Sequence, residues 1–156
     1  DLSLISATLI PVYLSVVFLL IAKLCVDLIG STLISRRAQS AGTAAELCPS
    51  LGHTRKKIAV RYSSEIATPL AIGWMQPKVL LPSEARNWSH SDIEMTLQHE
   101  LTHIERSDWL SHPLARCVHA LYWPVPGMGA FMRQLSFSME QAGDDRVLEW
   151  GASAVG

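Results

Sequence analysis

The sequence predicts an α+β fold, mainly helical with a small antiparallel sheet, preceded by a transmembrane helix. Three observations carry this reading. Leu2–Ala22 runs without a charged side chain. Between residues 57 and 82, short apolar runs are punctuated by proline and glycine at strand-like lengths. From residue 91 onward, apolar residues recur at helical spacing. A chain of 156 residues is long enough for one domain with a real core, and too short for two comfortable ones.

The first element follows from the cost of placing charge in lipid. About 20 uncharged, mostly apolar residues span a hydrocarbon layer of about 30 Å as a helix. The apolar run continues through Lys23 and Asp27 to about Ile29. Pro11 kinks such a helix without excluding it. Lys23 and Asp27 lie four apart, so they share a helix face and can pair near one interface. A signal peptide would carry basic residues before a shorter apolar core, which this segment lacks. The basic residues follow instead, at Arg36, Arg37, Arg55, Lys56 and Lys57. By the positive-inside rule, the remainder of the chain then faces the cytoplasm.

The next elements are read from punctuation and period. Residues 36–54 are small and polar and read as a linker with one short helix. Lys57–Tyr62 alternates as a strand does. Thr68–Pro82 reads as a hairpin-like pair of short strands with a turn near Met75–Lys78, at least one strand lying on a sheet edge because of its prolines. Ser91 and Glu94 form a capping-box pattern ahead of a helix running to about Asp108, with Ile93, Leu97, Leu101 and Ile104 on one face. The apolar stretch 109–132 is broken by Pro113, Pro124 and Pro126 and reads as lying in or against the membrane. A last helix covers roughly Gly129–Trp150. The division is therefore a transmembrane helix over 2–30, a linker over 31–56 and a folded domain over 57–150.

Composition narrows the function. Thirteen basic and 14 acidic side chains offer nothing to a polyanion, so nucleic acid is not an expected partner. Cys25, Cys48 and Cys117 are odd in number and lack a CxxC pairing. They read as inert thiols in a reducing compartment rather than a disulfide framework or a thiolate metal site. The chain starts at Asp1 and reads as a piece of a longer protein.

Residues 99–103 read HELTH. Histidines four apart on a helix project from the same side, so both imidazoles can reach one metal ion. They sit roughly 140° around the helix from the middle of its apolar stripe at 100° per residue. The stripe can anchor the helix while His99 and His103 face a cleft. Glu100 lies between these directions, where a general base for an activated water belongs. The constellation predicts a zinc peptidase, whose metal has three protein ligands and one open position. A third histidine six residues beyond the motif is ruled out, since Arg106 and Trp109 stand where a metzincin needs glycine and histidine. Glu140 is the expected third ligand, from a second helix 37 residues beyond His103. Asp144, one turn further, would hydrogen-bond the free nitrogen of a ligating histidine. Arg106 and Asp108 end the motif helix and would make supporting or capping contacts. His112 and His119 read as histidines satisfied at an interface, and His53 and His90 as surface residues.

The string QHELTHIERSDW, then LYWPVP, then MEQAGDDRVL, together with TPLAIGWMQPKVLLP, resembles the BlaR/MecR-type membrane metallopeptidases, the antirepressor family. The resemblance covers about Ile58–Leu148. It implies a zincin-like domain of the gluzincin kind, held at the cytoplasmic face of the bacterial membrane, with Zn2+ on His99, His103 and Glu140, Glu100 as base and Asp144 in support. It also implies that the hairpin lies beside the cleft, where its edge can pair with an extended peptide. In the family's best-known members, beta-lactam sensing triggers cleavage of a transcriptional repressor or of the transducer itself, which links the family to antibiotic resistance. The chain departs from the family at Gly143, commonly cysteine, and Ser107, often glycine. It carries no Ser-x-x-Lys penicillin-binding signature. The expected function is an integral-membrane zinc endopeptidase acting on a protein or peptide in signal transduction. The alternatives are a housekeeping membrane peptidase of the HtpX/CAAX-protease kind and a non-catalytic zinc-binding signalling module.

Overall fold

The computed structural model describes residues 2–50, 58–73 and 76–154. A single long helix opens the chain, α1 (Leu2–Arg37), unbroken through Pro11. Within it, Ala7–Arg37 is long and apolar enough to cross a membrane. At 1.5 Å per residue the whole helix is about 54 Å long, well beyond a hydrocarbon layer of about 30 Å. Leu9, Ile10, Phe18 and Leu19 are exposed along it. Water would not favour such a surface, whereas acyl chains would.

The segment after α1 holds more structure than its composition suggests. It forms β1 (Gln39–Thr43) and a four-residue α2 (Ala44–Leu47). Thr43 and Glu46 close a capping box on α2, the Thr43 N–H donating to Glu46 Oε2 at 2.8 Å. The expected strand is β2 (Ala59–Ser63), and the expected pair is β3 (Leu70–Ile72) and β4 (Lys78–Pro82). Met75, at the start of the expected turn, lies outside the described residues, as do Arg55, Lys56, Lys57 and His53.

The sheet is mixed, which corrects the expected antiparallel one. Its order is β1-β2-β4-β3, with β1–β2 and β3–β4 antiparallel and β2–β4 parallel. The cause is topological: β3 folds back on the far side of β4, so β2 meets β4 with both running the same way. β3 is left as an edge strand.

Next come a short 3-10 turn (Ser83–Asn87) and α3 (His90–Glu105). Ser89 is its N-cap, accepting from the Asp92 N–H at 3.2 Å, so the helix starts ahead of the expected Ser91. It ends before the expected Asp108 because Ser107 adopts φ +61°, the left-handed region that stops a helix. The apolar stripe behaves as its period requires. Leu97, Leu101 and Ile104 are buried with Val60, Val79 and Leu81 of the sheet, and Ile93 packs against that cluster. Each fully buried leucine contributes about 1.5–3 kcal/mol.

Two more helices complete the chain, α4 (Asp108–Tyr122) and α5 (Met128–Ala154). Pro113 is accommodated inside α4, so the chain breaks only around Pro124 and Pro126. α5 returns to pack on α3 and α4, and α4 packs on α1. The base of α1 is tied to the sheet by Arg61 of β2, which donates to the carbonyls of Ser35 at 3.0 Å and Ala38 at 3.3 Å.

Candidate active site

With its stripe fixed against the sheet, α3 turns His99 and His103 toward α5. Their Nε2 atoms stand 3.1 Å apart. Glu140 of α5 brings Oε2 to 3.6 Å from His99 Nε2 and 4.0 Å from His103 Nε2. Four-coordinate zinc with bonds of about 2.0–2.1 Å separates its ligand atoms by roughly 3.3–3.4 Å. The three separations bracket that value, so this set could hold such an ion.

The other ring nitrogens show which tautomer faces the cluster. His103 Nδ1 lies 2.8 Å from Asp108 Oδ2, with both side chains largely buried. His99 Nδ1 lies 3.2 Å from Asp144 Oδ1, a carboxylate that is 70% exposed. A carboxylate only accepts, so the Asp108 hydrogen bond favours the proton on His103 Nδ1 and a lone pair on its Nε2, and the Asp144 carboxylate favours the same tautomer of His99. Two such lone pairs beside a carboxylate oxygen could hold a cation. Asp144 lies behind His99 and Asp108 behind His103, the latter in the more buried contact. Arg106 reaches Asp108 at 3.7 Å and neutralises part of its charge.

Gly143 lets α5 approach this closely. A Cβ there would meet His99 Cε1 at 3.0 Å and His103 Nε2 at 3.4 Å. A side chain at this position would therefore press on both rings. The left-handed φ of Ser107 explains why glycine suits this position, and nothing in the structure explains the serine.

Glu100 is buried on the same wall. Burial pushes its carboxyl above the usual carboxylate range; His103 and His99 and a hydrogen bond from the Ala71 backbone N–H oppose that shift. The hydrogen bond ties the edge strand β3 to the motif helix, a contact that no sequence period announces. These groups open into one cavity of about 1320 Å³. Its walls come from β3, α3, α4 and α5, and also from α1 at Leu24, Asp27 and Leu28. The role of α1 as a wall was not foreseen. His112 lines the cavity away from the histidine–glutamate cluster, and His119 does not line it. Elsewhere, all three cysteines are free, and burial pushes the Cys48 thiol up to about 11, so it is an inert apolar side chain.

A family model described as BlaR1 peptidase M56 matches residues 2–153. The regulatory protein BlaR1 of Bacillus licheniformis is 28% identical over 107 residues, covering 64% of this chain and 18% of that protein. The methicillin resistance mecR1 proteins of Staphylococcus aureus and Staphylococcus epidermidis are 25% identical over 96 residues, 61% of this chain and 16% of theirs. The chain thus spans under a fifth of the length of these relatives.

Proposed function

This chain belongs to the BlaR1 peptidase M56 family, and on that premise we propose that it is a membrane-anchored, zinc-dependent endopeptidase. The observation that carries the reading is the convergence of His99 Nε2, His103 Nε2 and Glu140 Oε2 at zinc-ligand separations, with Glu100 beside them in an open cavity. When bound there, zinc supplies Lewis acidity to a neighbouring water and to the scissile carbonyl. The chain's own residues do the rest. Glu100 accepts the water's proton as it attacks and then passes that proton to the leaving amine. Asp108 and Asp144 hold the two imidazoles in the donor tautomer and resist ring rotation.

The substrate is an extended peptide lying along β3. That strand has one partner, β4, among the described residues, and its Ala71 N–H points at the Glu100 carboxylate. Its free edge therefore faces the reacting groups, and backbone pairing there would align a scissile bond. A regulatory protein, such as a transcriptional repressor, or the chain's own longer form fits this requirement for an unfolded segment. The peptidase domain faces the cytoplasm: α1 ends in Arg36 and Arg37, as a helix with its C-terminus inside should. Relatives named for regulation and methicillin resistance support a role in antibiotic-resistance signalling.

The test compares wild type with Glu100→Gln and Glu100→Ala in a peptide-cleavage assay with parallel metal analysis. Both variants should retain zinc and lose cleavage by several orders of magnitude. Cleavage at the wild-type rate by either variant would remove Glu100 from the mechanism. A variant set with zinc but no activity even in wild type would favour a structural zinc module.

A further inference from the structure

The α4–α5 hairpin carries a surface that the site does not use. Between Arg116 and Arg133, residues 117–132 include no aspartate, glutamate, lysine or arginine. Leu110, Leu114, Val118 and Leu121 are exposed at spacings of four, four and three, one stripe of α4. Val125 and Phe131 extend it across the turn.

The position of this surface along α1 decides what covers it. Arg116 bonds Asp27 at 2.6 Å. Five residues further along α4, the Leu121 carbonyl accepts from the Tyr13 hydroxyl at 2.7 Å. α4 therefore runs antiparallel to α1, toward its uncharged half. Between these anchors, Val16, Val17, Leu20 and Leu24 of α1 are partly or fully buried at helical spacing, whereas Leu14, Phe18 and Leu19 are exposed. Tyr13 precedes Lys23 by ten residues, or about 15 Å of helix. With the edge of the hydrocarbon at Lys23, that depth is about half of a 30 Å layer.

The turn suits a water-free setting, where an unpaired backbone group has no solvent to bond. Pro124 and Pro126 bring no N–H. The Val125 N–H donates to the Tyr122 carbonyl at 3.0 Å, the Met128 N–H to that of Val125 at 3.1 Å, and the Phe131 N–H to that of Gly127 at 2.9 Å. The Tyr13 hydroxyl occupies one of the carbonyls that a helix C-terminus leaves open.

We infer that the α4–α5 hairpin is a re-entrant wedge whose residues 117–132 lie in the acyl layer of the bilayer beside α1, with Arg116 and Arg133 at its surface. This rests on the reading of α1 as a membrane-spanning helix. The cavity lies between α1 and α4 on the aqueous side of the wedge, lined there by Leu24, Asp27, Leu28, Trp109 and Arg116. The cleft thus opens at the membrane surface, and its substrate segment is one presented there.

Site-directed spin labelling tests this on the full chain in phosphatidylcholine–phosphatidylglycerol vesicles, after Cys25→Ser, Cys48→Ala and Cys117→Ala. Nitroxides at Leu121 and Val125 are compared with one at Leu14 of α1 and one at the exposed Glu84. The expected result is collision with oxygen and protection from a water-soluble nickel chelate at Leu121 and Val125, as at Leu14. Nickel access at Leu121 and Val125 matching that at Glu84, with Leu14 protected, would overturn the wedge alone. Nickel access at Leu14 as well would overturn the membrane reading of α1 and the wedge with it. Labels at Leu121 and Val125 immobilised and closed to both reagents would show protein rather than lipid against the hairpin, and would also overturn it.

Discussion

Replacing Asp108 by alanine removes the acceptor for His103 Nδ1, a 2.8 Å contact between side chains 11% and 14% exposed. The freed imidazole can then rotate and exchange tautomers, so its Nε2 lone pair is no longer held toward the cluster. The same change at Asp144 removes a 3.2 Å contact from a carboxylate that is 70% exposed. Carboxylates behind ligating histidines contribute about 10–100-fold in metal affinity. An electrostatic contact is worth several-fold more at the low effective dielectric constant of a buried site than in bulk water. The buried pair belongs near the top of the range and the exposed one near the bottom. Asp108→Ala should therefore weaken zinc binding about 100-fold, and Asp144→Ala about tenfold or less. Asp108 also lies in the first turn of α4, so its loss should lower stability by a further 0.3–1 kcal/mol or so through the helix dipole. Competition with a fluorescent zinc chelator near neutral pH measures the affinities. A loss at Asp144 equal to or larger than that at Asp108 would refute the reasoning from burial.

Other expectations follow from the same geometry. In the metal-free fold, burial holds Glu100 above its ordinary value of 4.5. The folded state therefore binds more protons than the unfolded chain between 4.5 and that raised value, and stability falls as pH rises through the window. Glu100→Gln should abolish this slope and melt higher than metal-free wild type near neutral pH; identical pH–melting curves would count against it. Arg61→Ala should cost about 1.5–3 kcal/mol by releasing the charged donor from the Ser35 and Ala38 carbonyls, read as a lower melting temperature in detergent. Ser107→Gly should raise stability by about 0.5–1 kcal/mol, because the left-handed backbone costs serine more than glycine; a loss of stability would contradict the strain.

What the sequence made legible was local. The Ile93–Ile104 stripe and the two histidines sit within one helix, and a period of 3.6 fixes their relation before any tertiary contact forms. Glu140 and Asp144 were expected from the need for a third ligand and from their one-turn spacing, and no period tied them to α3. β1 could not be read, because QSAGT has no apolar alternation; its strand is held by pairing with β2, and Gly42 sits at a register shift there. The parallel pairing of β2 with β4 depends on which side of β4 receives β3, and neither strand encodes that choice. The same limit hid the face of α1 that walls the cavity. A uniformly apolar helix marks no side as inward, so Leu24 and Leu28 look like any other lipid-facing leucine. The end of α3 was missed for a different reason, since Ser107 is not a residue type that announces a left-handed stop.

The proposed chemistry depends first on the ligand set. X-ray absorption at the zinc edge, on wild type and Glu140→Ala, addresses it directly. The prediction for wild type is one four-coordinate zinc per chain, with a nitrogen and oxygen shell at about 2.0–2.2 Å, two imidazoles and no sulfur. Glu140→Ala should lose most of its zinc under the same dialysis. Full occupancy with an unchanged spectrum in that variant, or a sulfur shell near 2.3 Å in wild type, would contradict the site built from His99, His103 and Glu140.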